Sequence, residues 1–226
     1  MNPERKQQAD FFYLVLSALF IAALVATNLI ANKFVSVNLG FKTFHVSAGV
    51  LPYPITFLIT DILSEIYGKK KTQRVVFAGF FASIFVLGIL WLGHAFDAIP
   101  NSPVNNEAYN TVFANSWRVV MSSMLAYLVA QFVDVRIYHF WKTLTKGKYL
   151  WLRNNGSTVV SQLMDTSLVV LVLFWGQMSY HDMLWLIFDG WLFKSFFALC
   201  DTPVFYAVVA GLRKFFSLKL NQELVD

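Results

Sequence analysis

The sequence predicts an all-α integral membrane protein of six transmembrane helices, with a short outer β-hairpin between the first two. Three observations carry that prediction. The 226-residue chain is 57% hydrophobic and only 14% charged, against about 25% charged residues in an average soluble domain, and so much apolar surface needs lipid to cover it. Six largely apolar windows run over about 11–31, 49–67, 75–96, 112–133, 157–177 and 185–211, each close to the roughly 20 residues of helix that cross a hydrocarbon core of about 30 Å. Lys and Arg are lopsided between the loops: fourteen fall on one side and only Lys33 and Lys42 on the other. Because such residues stay preferentially in the cytoplasm, both termini are predicted to lie there.

The first window follows Arg5 and Lys6 as a signal peptide would, but it is longer than a signal-peptide core and no small-x-small cleavage site follows, so it reads as a retained helix. Residues 34–47 alternate in polarity on either side of Gly40, the period-2 pattern of a hairpin. In the second window Pro52 and Pro54 bar regular hydrogen bonding upstream and leave only 54–67 as clean helix. That is about 20 Å of helix, short of the core thickness. Interrupted helices of this kind often form transporter sites, although a proline-started helix tucked under the hairpin is the plainer reading. The third helix is expected after a basic loop of Lys69, Lys70, Lys71 and Arg74, and residues 97–111 read as a polar outer loop. Beyond Asp134, the helical spacing of Ile137, Phe140, Trp141 and Leu144 predicts that the fourth helix continues into the inner interface. Trp91, Trp117, Trp151, Trp175 and Trp185 fall near helix ends, where amphipathic rings meet the headgroups. No linker or low-complexity stretch divides the chain, so residues 1–226 are expected to form one transmembrane domain. Ala18, Ala22 and Ala26, and Gly79 with Ser83, offer close-packing faces within the chain or between subunits of a homo-oligomer.

Several function classes fall away. A single cysteine, Cys200, excludes an intramolecular disulfide and a Cys-based metal framework. His45, His94, His139 and His181 are too scattered for a metal site. No G-x-x-x-x-G-K-[ST] motif occurs, and neither Asp165-Thr166 nor Asp201-Thr202 is followed by the glycine of an intramembrane aspartyl protease. The net charge of +5 is accounted for by the cytoplasmic loops, so no nucleic-acid partner is expected. The sequence therefore predicts no enzyme, no cofactor and no metal; its expected partners are the lipid bilayer and a small molecule.

Ionisable and amide side chains inside membrane helices are expensive unless they face protein or water, so each marks a functional hypothesis. The candidates are Asn28 in the first helix, Asp61 and Glu65 in the second, and Arg118 and Gln131 in the fourth. Gln162 and Asp165 follow in the fifth, then Lys194 and Asp201 in the sixth. Counting depth at about 1.5 Å per residue sets Asp61, Asp165 and Asp201 at one level with Arg118 and Lys194 outward of them, around a cavity. Glu65 and Asp134 lie lower, near the inner surface, where solvation would suffice. Four acids against two bases leave carboxylates without fixed partners, which suits proton coupling or recognition of a ligand rich in N–H groups. Tyr53, Phe57 and Tyr127 offer rings on which a planar ligand could stack.

Particular stretches resemble the bacterial queuosine precursor transporters of the vitamin uptake transporter group. They are Ala26-Thr27-Asn28, Phe57 to Asp61 with Ile66-Tyr67-Gly68, Gln131 to Val135, Asn154 to Thr158 leading to Gln162 and Asp165-Thr166, then Lys194 and Asp201-Thr202-Pro203 with Tyr206. The resemblance spans nearly the whole chain. It implies six helices, inner termini and uptake of purine-like 7-cyano-7-deazaguanine and 7-aminomethyl-7-deazaguanine through the inner (plasma) membrane. Two other readings stand beside it: the substrate-binding subunit of an energy-coupling-factor importer, docked through the Ala18, Ala22, Ala26 face, and a membrane enzyme using Asp61 and Asp165.

Overall fold

The computed structural model describes residues 3–31, 33–40, 42–114, 117–176, 178–219 and 222–224. Among these residues, seven α-helices and one two-stranded sheet follow in the order α1 (Pro3–Leu29), β1 (Phe34–Asn38), β2 (Thr43–Ser47), α2 (Pro54–Ile66), α3 (Gly68–His94), α4 (Asn106–Tyr109), α5 (Trp117–Leu144), α6 (Leu150–Phe174) and α7 (Tyr180–Phe216). A 3-10 turn over Ala48–Val50 joins β2 to α2, and a π-turn over Asn110–Ala114 extends α4.

The strands pair antiparallel in the register Phe34 with Ser47 through Asn38 with Thr43. Gly40 turns the hairpin with φ of +84°, a left-handed value that a side chain would strain. The period-2 alternation has a direct outcome: Phe44 and Val46 of β2 are buried against Phe193 of α7, with the Phe44 and Phe193 rings 5.3 Å apart, while Thr43 and His45 are exposed. Lys42 adds an ion pair to Asp189 of α7 at 2.5 Å. The hairpin is thus fastened to the last helix rather than to its sequence neighbours alone.

Proline placement explains α2. Tyr53 stands at its N-cap and Pro54 opens its first turn, where the missing N–H is no loss. From Thr56 to Tyr67 only Leu58 is not fully buried. In the 48–66 segment 61% of the apolar window is buried, against 17–39% in the windows of α1, α3, α6 and α7, so α2 is the axis around which α1, α3, α5 and α7 pack. The outer faces of those helices are apolar. On α3, Phe77, Phe81, Phe85 and Ile89 form one exposed stripe, a surface stable only against lipid.

Several boundaries depart from the sequence reading. Lys69, Lys70 and Lys71 are helical, because Gly68 at φ +78° reverses the chain between α2 and α3 without a loop. The polar stretch 97–111 contains α4, capped by the Asn105 side chain on Ala108 N–H. And α7, at 37 residues, is about 55 Å long, more than a bilayer core requires. Among the described residues, five segments have the length and apolarity of membrane spans: α1, 48–66, α3, α6 and α7. The expected continuation of the fourth helix is seen in α5, which runs to Leu144.

Candidate functional site

Because α2 starts at a proline in the middle of the bundle, its first two turns face α6 and α7 across a crevice. Pro54, Phe57, Leu58 and Asp61 line it from α2; Asn154, Thr158 and Gln162 from α6; Lys194, Ala198 and Asp201 from α7. As it stands the crevice has room for about one water molecule, some 10 Å³. Asp61 is 1% exposed, and its Oδ2 accepts a long hydrogen bond from Thr158 at 3.5 Å while Oδ1 has no donor among the described residues. Gln162 Oε1 and Asn154 Oδ1 are likewise buried without a partner. Buried polar atoms are rarely left so.

Asp165 is differently placed. Lys194 Nζ donates to its Oδ2 at 2.6 Å and Tyr53 Oη to its Oδ1 at 2.9 Å, so both oxygens are engaged. The same ammonium lies 4.7 Å from the Tyr53 ring centre, a cation–π contact. Asp165 therefore fixes Lys194 at the crevice wall. Tyr127 packs edge to face on Tyr53 and on Phe57, which are tilted against each other, with centroids 5.7–6.3 Å apart.

Below the crevice two further charge groups meet. The Asp134 carboxylate of α5 lies within hydrogen-bonding reach of Asp61 and accepts from Ser161 Oγ at 2.9 Å. One turn along α2, Glu65 is a hub. Arg153 of α6 reaches it at 3.1 Å, Lys142 of α5 at 3.7 Å and Arg213 of α7 more closely still, and Tyr138 Oη donates to it at 2.9 Å. The C-terminal segment joins in through Glu223, 2.7 Å from Lys142, and Leu224 N–H, 2.7 Å from Ile66 O. Glu65 is thus no solvated surface acid, and Arg153 and Lys142 are no loop cations: Glu65 and Arg153 are fully buried and Lys142 nearly so. Loop counting missed this because α6 starts at Leu150 and carries Arg153 into the bundle.

The family model described as "Putative vitamin uptake transporter" matches residues 47–208, from the end of β2 through most of α7. The chain belongs to that family. Its members are membrane transporters and not enzymes, and this chain is a multi-pass membrane protein. Among similar curated proteins, the "Probable queuosine precursor transporter" of Bacillus subtilis is 32% identical over 160 residues, 70% of this chain and 69% of the relative. The "Queuosine precursor transporter" of Escherichia coli is 26% identical over 64% of this chain and 62% of its own. The "Probable queuosine precursor transporter" of Haemophilus influenzae is 24% identical, over 66% and 65%. The matches thus span about two thirds of these relatives' lengths. No solved structure matches.

In this member of the vitamin uptake transporter family the sequence-expected residues do not all meet in one place. Phe57, Asp61, Gln162, Lys194 and Asp201 share the crevice, with Tyr53 and Asp165 directly behind Lys194. Glu65 belongs to the charged hub, and Gln131, fully buried with both amide atoms unpartnered, is not among the lining residues. Asn28 lies apart: its amide donates to Leu24 O at 3.0 Å and it lines a separate apolar crevice with Ser83 and Met124. The side chain of Arg118 lies outside the described residues. Asp134, Asn154 and Thr158 are the additions; the first sits in the stretch Gln131 to Val135 and the others in Asn154 to Thr158, both of which carried the family resemblance.

Proposed function

We propose that this transporter imports queuosine precursors, 7-cyano-7-deazaguanine and 7-aminomethyl-7-deazaguanine, and that they bind in the crevice between α2, α6 and α7. One observation carries the reading: a buried carboxylate oxygen of Asp61 without a donor, beside amide oxygens of Gln162 and Asn154 in the same condition. A guanine-like edge presents adjacent N–H donors that such acceptors match, and each donor left unmet in a buried site loses about 1–3 kcal/mol. Asp165 is occupied by Lys194 and Tyr53, so Asp61 reads the N–H edge while Lys194 faces the ring carbonyl. Names shared by the three relatives support the same substrate class.

A ring system needs far more space than one water, so α2 and α7 part to admit it. Both are built to yield there: α2 is interrupted before Pro54, and Pro203 leaves α7 without one of its backbone hydrogen bonds. In this reading α5 is the sixth span, residues 1–226 form one transmembrane domain in the inner membrane, and the hairpin lies on the outer face. Uptake by purified protein in liposomes tests the function. Replacing Asp61 with Asn keeps the shape but swaps an acceptor for a donor, and affinity should fall at least about tenfold, some 1.4 kcal/mol. Guanine should compete and hypoxanthine, lacking the exocyclic amine, should compete poorly. Equal competition, or unchanged affinity in Asp61→Asn, defeats the reading. Uptake only in the presence of an energy-coupling ATPase module would make the chain a binding subunit instead.

A further inference from the structure

Asp134 is a fully buried carboxylate for which the substrate reading has no use. It projects from α5 into hydrogen-bonding reach of Asp61 on α2. From α6 the pair receives only hydroxyls, Ser161 to Asp134 Oδ1 and Thr158 to Asp61 Oδ2, with Ser157 beside Asp134. Among the described residues each carboxyl group keeps one oxygen without a donor, Asp61 Oδ1 and Asp134 Oδ2. Independently, Asn154 Oδ1 and Gln162 Oε1, on side chains 4% and 2% exposed, are unpartnered in the crevice that Asp61 lines. All four atoms are acceptors, so what each lacks is a donor or a cation; Gln131 Nε2 and Tyr127 Oη of α5 are buried donors that are themselves unpartnered, so neither bonds to them.

The charges that face the pair do not supply one. Glu65, one turn away on α2, is countered by Arg153, Arg213 and Lys142; Lys194 of α7 is committed to Asp165; Asp201 stands on the crevice wall; α5 adds the phenols of Tyr127 and Tyr138. Among the described residues no Lys or Arg forms an ion pair with Asp61 or Asp134. Two carboxylates in contact in a medium of low dielectric repel strongly unless a positive charge sits with them. A divalent metal would ask for more anionic ligands, and the described residues hold no cluster of three or more acidic, His or Cys side chains fit for one.

We propose that Asp61 and Asp134 form a monovalent-cation coupling site, filled by a proton or a sodium ion that travels inward with the substrate. The co-transport direction follows from geometry and rests on the substrate reading above. A ligand in the crevice reaches Asp61 but not Asp134, which does not line it; the free oxygen of Asp134 is therefore served by a second species bound at the same time. The cation enters from the outer solution with the substrate and leaves to the cytoplasm with it.

Proteoliposomes given labelled 7-cyano-7-deazaguanine in the external medium test the proposal under an inward pH gradient, an inward sodium gradient, or neither. One gradient should drive accumulation, about tenfold for one pH unit at one proton per substrate, and the arm that works tells proton from sodium. Asp134→Asn should lose that gain while exchange of labelled for unlabelled substrate across the bilayer continues, and Asp134→Glu, which keeps the acid, should retain part of it. Equal accumulation by the wild type with and without either gradient overturns the proposal, as does gradient-driven accumulation in Asp134→Asn. A second readout needs no substrate. Purified wild-type protein should show a protonated-carboxyl infrared band that base or sodium removes and that Asp134→Asn lacks; a wild type whose spectrum responds to neither overturns the proposal. Should the labelled compound not exchange at all while the band responds, the substrate reading fails and the cation site stands.

Discussion

At the scale of single residues, two of the three aspartates that the sequence set at one depth, Asp61 and Asp165, have opposite environments. Asp165 is saturated by Lys194 and Tyr53, whereas Asp61 keeps an unpaired oxygen. The difference has a measurable consequence. Removing one partner of a buried ion pair strands the other charge, at about 3–5 kcal/mol, whereas replacing both with apolar groups is far milder. Lys194→Met should therefore lower the melting temperature in detergent sharply, and Lys194→Met with Asp165→Leu should recover much of the loss, as followed by tryptophan fluorescence. Equal destabilisation in the single and double variants would mean the pair is not the source. Which side chains are chemically special was legible in the sequence, because acids and bases in apolar windows stand out. Their pairing was not, since it depends on the rotation of α6 against α7.

At the scale of elements, α2 is a short helix that two proline positions start late and one glycine ends abruptly. Its lower end is held by Glu65, which draws together α5, α6 and α7 through Lys142, Arg153 and Arg213. Glu65→Gln leaves the fully buried Arg153 without its counter-charge, and a loss of about 3–5 kcal/mol is expected. Glu223→Gln touches a pair with a partly exposed carboxylate and should cost about 1 kcal/mol or less. Thermal denaturation of the two variants side by side separates the cases; similar melting temperatures would show that the hub does not anchor the helices. The proline break and the hairpin alternation were readable because both are local rules of backbone geometry. The hub was not. Its members lie between 65 and 223 in sequence and meet only when four helices and the C-terminal segment pack.

At the scale of the whole molecule, the expected topology rests on the imbalance of Lys and Arg, fourteen against two between the loops. Single-cysteine variants in a Cys200→Ser background should label from the outside at Asn105 and Ser179, and only after permeabilisation at Lys146. Outside labelling at Lys146 would reverse the orientation, and inside labelling at Asn105 would break the six-span model. Even with Lys142, Arg153 and Arg213 drawn into the bundle, Lys69, Lys70, Lys71, Arg74, Arg136, Lys146 and Lys148 keep the bias on the same side.

The sequence by itself determined that this chain lives in a membrane as a helical bundle, which helix is interrupted, and which polar residues are out of place in lipid. Those properties follow from composition, from helical and strand periodicity and from proline and glycine, all of which act within a few residues of chain. The tertiary structure decided that Asp61 faces Asp134, that Asp165 holds Lys194, that Asn28 sits in another crevice, and that Glu65 is a buried hub. The physical reason is that a helix determines the angles between its own side chains but not its rotation about its axis. Only packing against neighbouring helices sets that rotation, and with it which buried charges meet and which oxygens are left waiting for a ligand.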